Sequence, residues 1–270
     1  MKSKKRKIFN WIKIIVFLYC SIGIALYYLQ EKFLFHPTPL PASHVFHFPG
    51  KFNEMTIPIN AKDNISMVRF LPDSGASRGV VLFFHGNRGN VERYAKYAPM
   101  FTQKGYECWM ADYPGFGKST GNRSEKALYE QAYQIYRLAK SKFGMDSILI
   151  YGKSFGTGIA SFLASETKPR LLILETPYRS IPSLFGYYAF IYPVNTMVTY
   201  KLPVEEYLQD IKIPVVIFHG TDDGVIPYGY AKKLQPYLKP GDQFVTIEAG
   251  SHHNLSGYPK FKAVMDSLLR

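Results

Sequence analysis

Two serines of the sequence lie in a G-x-S-x-G pattern, which can place a nucleophilic hydroxyl on a tight turn between a strand and a helix. Ser154 lies in GKSFG, directly after the apolar run Ile148–Tyr151 and before a stretch of small and apolar residues. Gly152 and Gly156 suit such a turn, because a β-carbon at either position would crowd the neighbouring chain. Ser119 lies in GKSTG inside a turn-rich loop, and no helix is predicted to begin there. We therefore predict that Ser154 is the nucleophile and that Ser119 is a polar turn residue.

A serine hydroxyl is a weak nucleophile and needs a histidine base that is oriented by a carboxylate. His252 and His253 lie together in a polar loop between the last predicted strand and the last predicted helix, so either could be the base. Asp222 and Asp223 follow the predicted strand Val215–Phe218, so either could be the carboxylate. The order serine, aspartate, histidine along the chain is that of the α/β-hydrolases.

The other histidines and the lysines of the two motifs suggest no competing chemistry. The remaining histidines are predicted to serve loop geometry, packing or the surface: His36, His44, His47, His85 and His219. A phosphate-binding P-loop would require a glycine five residues before the glycine of each G-K-S string. Asp112 and Ser147 stand at those positions, which excludes a P-loop. With Cys20 and Cys108 as the only cysteines, a disulfide scaffold is excluded as well.

Apolar runs that alternate with helical patterns must position these residues. The predicted strands are Phe52–Ile59, Ile65–Leu71, Val80–Phe84, Glu107–Ala111, Ile148–Tyr151, Leu171–Glu175, Val215–Phe218 and Phe244–Ile247. The predicted helices are Val91–Gln103, Glu125–Lys142, Phe155–Ser165, Gly229–Leu238 and Tyr258–Leu269. Strand–helix alternation requires a mostly parallel sheet, and the first two strands suggest an antiparallel edge. The stretch 177–210, rich in tyrosine, is longer than one helix requires and is predicted to be either a lid insertion or a pair of ordinary packed helices.

The N-terminal residues predict a membrane anchor. The uncharged run Ile14–Leu29, extended back to Ile8, would form a helix of about 30 Å, enough to cross the hydrocarbon core of a bilayer. Tyr27 and Tyr28 lie where an interfacial aromatic belt is expected. The alternative, a cleaved signal peptide, needs small residues at the cleavage site, and the bulky run from Leu26 argues against it.

The charge of the chain is consistent with such an anchor. The sequence has 33 lysines and arginines against 20 acidic residues, a net charge of +13. Six of the cations lie in residues 1–13, and the remainder carries 27 against 20, or +7. We therefore expect a cytoplasmic basic tail and anchor over 1–30, a linker over 31–50 and one catalytic domain over 51–270 on the extracytoplasmic side. Without the tail, little supports nucleic-acid binding, and we expect no nucleic-acid partner.

The sequence resembles the membrane-anchored α/β-hydrolases of the serine aminopeptidase-like group, which includes protein depalmitoylases. The resemblance extends from about Leu29 to the C-terminus and rests on QEKFLFHP at 30–37, HGNRGN at 85–90, DYPGFGKS at 112–119 and the Ser154 motif. It implies the α/β-hydrolase fold, with a mostly parallel central sheet, an antiparallel N-terminal edge and a short lid.

The resemblance also implies a register for the site. The family pattern H-G-x-x-D-x-x-V/I-P places the carboxylate at Asp223, and the pattern G-x-x-H-N places the base at His253, although the doubled histidine departs from the family. The oxyanion hole of this family uses two backbone N–H groups, which fall here on Phe155 and Asn87. His252 would then be a loop residue near the mouth of the site.

These residues predict a serine hydrolase that cleaves an ester, thioester or amide bond through an acyl-enzyme, without a metal or cofactor. The expected partners are a small-molecule or acylated substrate and the lipid bilayer. The alternative is a catalytically silent, membrane-tethered binding or scaffold protein, since a fold alone does not establish chemistry.

Overall fold

A computed structural model of the chain describes residues 2–73 and 75–270. The helices are α1 (Lys2–Leu34), α2 (Val91–Tyr94), α3 (Ala98–Thr102), α4 (Glu125–Lys142), α5 (Gly156–Glu166), α6 (Ile181–Tyr188), α7 (Val194–Met197), α8 (Val204–Asp210), α9 (Tyr228–Ala231) and α10 (Pro259–Leu268). The strands are β1 (His36–Pro37), β2 (Phe52–Pro58), β3 (Asn64–Phe70), β4 (Gly79–Phe84), β5 (Arg88–Gly89), β6 (Tyr106–Ala111), β7 (Ile148–Lys153), β8 (Leu171–Glu175), β9 (Val215–Gly220) and β10 (Gln243–Ile247).

The described residues form one large sheet of eight strands in the order β10-β9-β8-β7-β4-β6-β3-β2. All neighbours from β10 to β6 run parallel, while β3 pairs antiparallel with both β6 and β2. The predicted parallel sheet with an antiparallel N-terminal edge is therefore confirmed, and each predicted strand lies within two residues of its observed bounds. The short strands β1 and β5 pair separately.

Helices cover both faces of this sheet, because its central strands are apolar on both sides. In β7, Ile150 packs on the face covered by α4 and α5, whereas Leu149 and Tyr151 pack on the face covered by α3 and α10. Alternate side chains of this one strand therefore pack into two separate hydrophobic cores, one on each face of the sheet. Burial on both faces fixes the register of the strand that leads into Ser154.

Two predicted helices are interrupted, and proline accounts for both. The stretch predicted as Val91–Gln103 is divided into α2, a 3₁₀ turn and α3, with Pro99 in the first turn of α3. The stretch predicted as Gly229–Leu238 is α9 followed by a 3₁₀ segment that contains Pro236. Proline lacks the N–H that continues an α-helical ladder and clashes with the preceding turn, so only short segments form.

The segment after the predicted anchor differs most from expectation. Helix α1 continues to Leu34, and the chain then pairs through β1 with β5. Phe35 and Phe46, within the stretch predicted as a linker, are buried in the core. The insertion 177–210 folds as α6, α7 and α8 between β8 and β9. Helix α1 is long and apolar enough to cross a membrane.

Candidate active site

The carboxyl ends of the parallel strands bring the predicted residues together at one edge of the sheet. Ser154 follows β7, Asp223 lies in the loop after β9, and His252 lies in the loop after β10. The loop that carries Asn87 follows β4, the neighbour of β7. In an open parallel sheet this edge is where loops of different strands converge.

Ser154 lies on a strained turn between β7 and α5. Its φ is 51°, a conformation that costs a residue with a β-carbon about 1–3 kcal/mol. A β-carbon at Gly156 would lie 2.1 Å from the Phe84 carbonyl oxygen, and one at Gly152 would lie 2.7 Å from Ala160 Cβ. Both glycines of the motif are therefore required by close packing of the turn against β4 and α5. This strand–turn–helix geometry confirms the local structure predicted for GKSFG.

His252 connects the serine to the carboxylate. Its Nε2 lies 2.9 Å from Ser154 Oγ, and its Nδ1 lies 2.8 Å from Asp223 Oδ2. The carboxylate accepts a hydrogen bond from Nδ1–H, which keeps the proton on Nδ1 and leaves Nε2 free to accept the serine hydroxyl proton. This chain of hydrogen bonds is the arrangement that activates a serine nucleophile.

The structure does not place His253 in this position, so the predicted register of the two histidines is wrong. The His253 side chain is exposed and makes an edge contact with the His252 ring, at 5.0 Å between centroids. Partial removal from water beside the His252 ring lowers the pKa of His253, and the charges of His252 and Lys153 lower it further. His252 is instead buried, facing Asp223, and its backbone carbonyl accepts a hydrogen bond from Lys153 Nζ at 3.2 Å.

Asp223 lies at the position that the family pattern implied for the carboxylate, with its side chain facing His252. Its Oδ1 accepts the backbone N–H groups of Val225 (2.8 Å) and Ile226 (2.7 Å). Burial acts to raise the pKa of Asp223, but the hydrogen bond from His252 and these backbone donors outweigh it, and the pKa is lowered. Asp222 is exposed, and its carboxylate accepts a hydrogen bond from the neighbouring Thr221 hydroxyl.

The other candidates have structural contacts of their own. Ser119 Oγ accepts the Ser66 N–H at 2.8 Å and donates to the Asp112 carbonyl at 2.7 Å, as a buried turn residue would. His219 is buried, and its Nε2–H donates to the Ile226 carbonyl at 2.8 Å. Burial lowers the pKa of His219, which keeps it neutral beside Asp223. His85 Nδ1–H donates to the Gly86 carbonyl at 2.7 Å.

The loop after β4 lies beside Ser154. A β-carbon built on Gly86 would lie 3.7 Å from Ser154 Cβ, so this loop and the serine border the same space. The Asn87 carbonyl accepts the His36 N–H at 2.9 Å, and the Asn87 side chain donates to the Leu34 carbonyl. Within the described part of the chain, no backbone carbonyl accepts the N–H of Asn87 or Phe155. Both N–H groups are therefore available for a ligand, while the segment after α1 fixes the loop.

A buried ion pair beneath the serine is a feature that the sequence analysis missed. Lys153 and Glu175 are 4% and 0% exposed, and Lys153 Nζ donates to the Glu175 carboxylate, which also accepts the Tyr151 hydroxyl. Lys153 precedes the nucleophile and also bonds the His252 carbonyl. The sequence signal for it was one charged residue at the C-terminal end of each of the apolar runs ILIYGK and LLILE. The pair links the serine turn to the histidine loop.

The site opens into a cavity of about 350 Å³ with a basic lining. Arg88, Arg93 and Lys96 line it together with both histidines of the loop and Phe33 at the end of α1. Among the described residues, no aspartate or glutamate lines this cavity, and none of its three surface cations makes an ion pair. The cavity therefore favours a ligand that carries negative charge.

Comparison with known proteins shows which families and folds the chain is similar to. Residues 75–207 match the family described as "Serine aminopeptidase, S33". The lysophosphatidylserine lipase ABHD12 of Macaca fascicularis is 30% identical over 191 residues, which is 63% of this chain and 48% of that protein. The Gallus gallus protein of the same name is 31% identical over 182 residues, 59% of this chain and 47% of its own length. The chain thus spans about half the length of these curated relatives.

Solved structures share the fold at low sequence identity. The Pyrococcus furiosus esterase PF2001 superposes with a TM-score of 0.65 at 17% identity, over 87% of this chain and 98% of that one. Est1E from Butyrivibrio proteoclasticus, solved with ferulic acid, gives 0.65 at 20% identity, over 80% of this chain and 98% of its own. The family match and these neighbours support the resemblance implied by the motifs. The chain therefore has the α/β-hydrolase fold, is similar over residues 75–207 to the serine aminopeptidase S33 family, and begins this fold after a helix long and apolar enough to span a membrane.

Proposed function

We propose that this protein is a serine hydrolase that cleaves the acyl ester of a membrane lipid with an anionic headgroup. The observation that carries the hydrolase assignment is the chain of hydrogen bonds from Ser154 through His252 to Asp223, at 2.9 and 2.8 Å. Lipase and esterase relatives support the same class.

In the proposed mechanism, Ser154 Oγ attacks the ester carbonyl carbon while His252 Nε2 takes the hydroxyl proton. Asp223 fixes the imidazole and stabilises its protonated form. The N–H groups of Phe155 and Asn87 stabilise the oxyanion. His252 then gives its proton to the leaving alcohol, and an acyl-enzyme remains. A water molecule, deprotonated by His252, attacks the acyl carbon, and the returning proton restores the Ser154 hydroxyl as the fatty acid leaves.

The cavity supports an anionic lipid as the substrate class. Arg88, Arg93 and Lys96 supply positive charge at its wall, while Phe33 brings the apolar end of α1 to the same cavity. A substrate with an anionic headgroup and an acyl chain complements both the basic wall of the cavity and the apolar end of α1. The curated relatives are named for lysophosphatidylserine, an anionic lipid with one acyl chain. A lysophospholipid therefore fits better than a peptide or an uncharged ester.

Helix α1 is proposed to anchor the protein in the membrane, with the basic tail in the cytoplasm and the catalytic domain on the opposite side. Five of the first seven residues are lysine or arginine, which favours retention of this end in the cytoplasm. Intact cells would be treated with a membrane-impermeant thiol reagent, using a Lys62→Cys variant that lacks Cys20. Labelling of intact cells is expected, and labelling only after lysis would reverse the orientation.

The substrate class can be tested with lipids that share one acyl chain and differ in headgroup. The full chain in detergent micelles is expected to hydrolyse lysophosphatidylserine with a kcat/KM at least about tenfold above that for lysophosphatidylcholine, a difference of ~1.4 kcal/mol. Combined Arg88→Ala and Arg93→Ala should remove this preference. Arg137→Ala, at an exposed position of α4, is the matched control. Equal rates for both lipids would refute the anionic substrate, and hydrolysis by Ser154→Ala at the wild-type rate would refute the hydrolase.

A further inference from the structure

The insertion 177–210, which we call the lid, has the composition of a membrane-contacting segment. From Ser180 to Tyr200 the sequence contains no charged residue, and Arg179 and Lys201 stand at the two ends. Several large apolar side chains of this stretch are exposed: Tyr187 (55%), Tyr188 (59%), Phe190 (83%) and Ile191 (57%). We call these four residues the lid tip. Contiguous exposed apolar side chains on a domain surface mark a site of contact with another apolar phase or molecule.

The lid packs against α1 next to the tip. The rings of Tyr19 and Tyr192 stack at 4.7 Å between centroids, and the Tyr19 hydroxyl donates to the Ile191 carbonyl at 3.0 Å. Gly23 allows this approach, because a β-carbon there would lie 3.1 Å from Tyr192 Cε1. The lid tip is therefore continuous with the apolar surface of α1.

A second set of contacts holds the other end of the lid. Gln30 Oε1 accepts the Thr199 N–H at 2.8 Å, and its Nε2 donates to the Met197 carbonyl at 3.3 Å. The Tyr200 hydroxyl donates to Glu31 at 2.9 Å. Together with the contact between Tyr19 and Tyr192, these bonds attach the lid to α1 at two positions along the helix axis.

The contact with α1 sets the depth of the lid. Tyr19 and Gly23 precede Tyr27, which lies in the proposed interfacial belt, by eight and four residues. At 1.5 Å per residue, the ring of Tyr192 then lies about 6–12 Å along the axis on the hydrocarbon side of that belt. Interfacial apolar segments reach a similar depth, about 5–10 Å.

We propose that the lid tip inserts into the same membrane as α1, so that the catalytic cavity opens at the bilayer surface. This inference rests on the proposed anchor. The Tyr188 hydroxyl donates to the Val225 carbonyl at 3.0 Å, and Val225 lines the cavity that contains Ser154. A lipid can then move from the bilayer into the cavity between the lid and Phe33 without crossing water.

Several backbone groups at and beside the lid tip form hydrogen bonds within the protein. The Ala189 N–H donates to the Phe185 carbonyl at 2.7 Å, and the Tyr192 N–H donates to the Ala189 carbonyl at 3.0 Å. The Ile191 carbonyl accepts the Tyr19 hydroxyl. Hydrocarbon requires such internal pairing, since no water is present to satisfy backbone groups.

Tryptophan fluorescence in vesicles with brominated acyl chains tests the insertion. The full chain would be reconstituted in phosphatidylcholine vesicles as the Trp11→Phe/Phe190→Trp variant, since Phe190 is exposed and its replacement disturbs no packing. Trp109 is buried and supplies a constant background, which the Trp11→Phe variant measures alone. Trp11→Phe/Met145→Trp is the control, because Met145 is exposed near the opposite end of β7. The wild-type protein, with Trp11 in the helix, reports the anchor itself.

We expect brominated lipid to quench the Phe190→Trp variant about as strongly as it quenches Trp11 in the wild type, and to leave the Met145→Trp variant at background. Quenching of Trp11 without quenching of the Phe190→Trp variant would overturn the insertion while leaving the anchor intact, and would indicate a protein partner or solvent at the lid tip. Loss of both signals would overturn the anchor and the insertion together. Neither result depends on catalysis.

A charge at the lid tip tests the consequence for substrate delivery. Phe190→Asp is expected to lower the ratio of vesicle-lipid hydrolysis to short-chain soluble ester hydrolysis at least about tenfold, because a carboxylate is strongly disfavoured in the apolar layer. Phe190→Leu retains an apolar side chain and should preserve the ratio. An unchanged ratio in Phe190→Asp would contradict lipid delivery through the lid.

Discussion

Replacement of His252 and of His253, one at a time, tests the site most sharply, because the two residues are adjacent and chemically identical. His252→Gln removes the imidazole that joins Ser154 Oγ to Asp223 at 2.9 and 2.8 Å. His253→Gln removes an exposed ring that has no hydrogen bond to either group within the described residues. Glutamine preserves polarity and approximate volume at both positions.

The expected losses differ by orders of magnitude. General base and acid catalysis by a positioned histidine contributes about 10²–10⁴, and triad members removed singly can cost up to ~10⁶ in other serine hydrolases. We expect His252→Gln to lower kcat/KM by about 10⁴ or more, or ~5 kcal/mol at 1.36 kcal/mol for each tenfold step. His253 lines the cavity without contacting the reacting atoms, so His253→Gln should cost less than about tenfold, or ~1.4 kcal/mol.

Both variants would be assayed by steady-state hydrolysis of one activated acyl ester, with thermal unfolding measured in parallel to confirm folding. The wild-type protein and Ser154→Ala set the upper and lower limits. A large loss in His253→Gln with near-normal activity in His252→Gln would refute the assignment of His252 and restore the register implied by the G-x-x-H-N pattern.

Three further predictions concern the supporting residues. Asp223→Asn should lower kcat by about 10⁴ without changing KM, as expected when the imidazole loses its orienting carboxylate, and a loss below tenfold would contradict the assignment. Gly156→Ala should cost at least about 3 kcal/mol, lowering Tm by roughly 6–12 °C, because its β-carbon would meet the Phe84 carbonyl, whereas Gly144→Ala has open space and should leave Tm unchanged. Lys153→Met should destabilise the fold by about 3–5 kcal/mol in differential scanning calorimetry, because it leaves the Glu175 carboxylate buried and unpaired. Combination with Glu175→Gln should recover most of that loss, and no recovery would show that the charge is not the cause.

The local structure around the nucleophile follows from sequence because it is determined by neighbours along the chain. An apolar run, a glycine-flanked serine and a run of small residues permit few arrangements other than strand, turn and helix. The close contacts of Gly152 with Ala160 and of Gly156 with Phe84 explain why no larger residue fits. The acid did not follow from the residues alone, which left Asp222 and Asp223 open. The family pattern selected Asp223, and its carboxylate accepts two backbone N–H groups in the structure.

The choice between two adjacent histidines depends on tertiary contacts that no local pattern carries. The Ser251 N–H donates to the Asn254 side chain at 2.7 Å and turns the loop, while Lys153 holds the His252 carbonyl from another strand. These contacts point His252 toward Asp223 and leave His253 in solvent. The G-x-x-H-N pattern selects the histidine next to Asn254 by its position in the sequence. It carries no information about the direction in which this turn points each side chain.

Packing between distant segments also escaped the sequence analysis. The contacts of Tyr19 with Tyr192 and of Gln30 with Thr199 join residues about 170 positions apart. The composition of either segment does not indicate that it packs against the other. The stretch after the anchor likewise reads as proline-rich linker, although Phe35 is buried against Phe155 at 5.1 Å between ring centroids. Both features depend on the complete fold.

Covalent labelling by a fluorophosphonate probe reports whether Ser154 is an activated nucleophile, since such probes react with a serine only where a base and an oxyanion hole activate it. The full chain in detergent would be incubated with the probe, digested and analysed by mass spectrometry. We expect one modified site, Ser154, with labelling lost in Ser154→Ala and in His252→Gln. Absence of labelling in the folded wild-type protein, as expected of a catalytically silent scaffold, or modification at Ser119 instead, would contradict it.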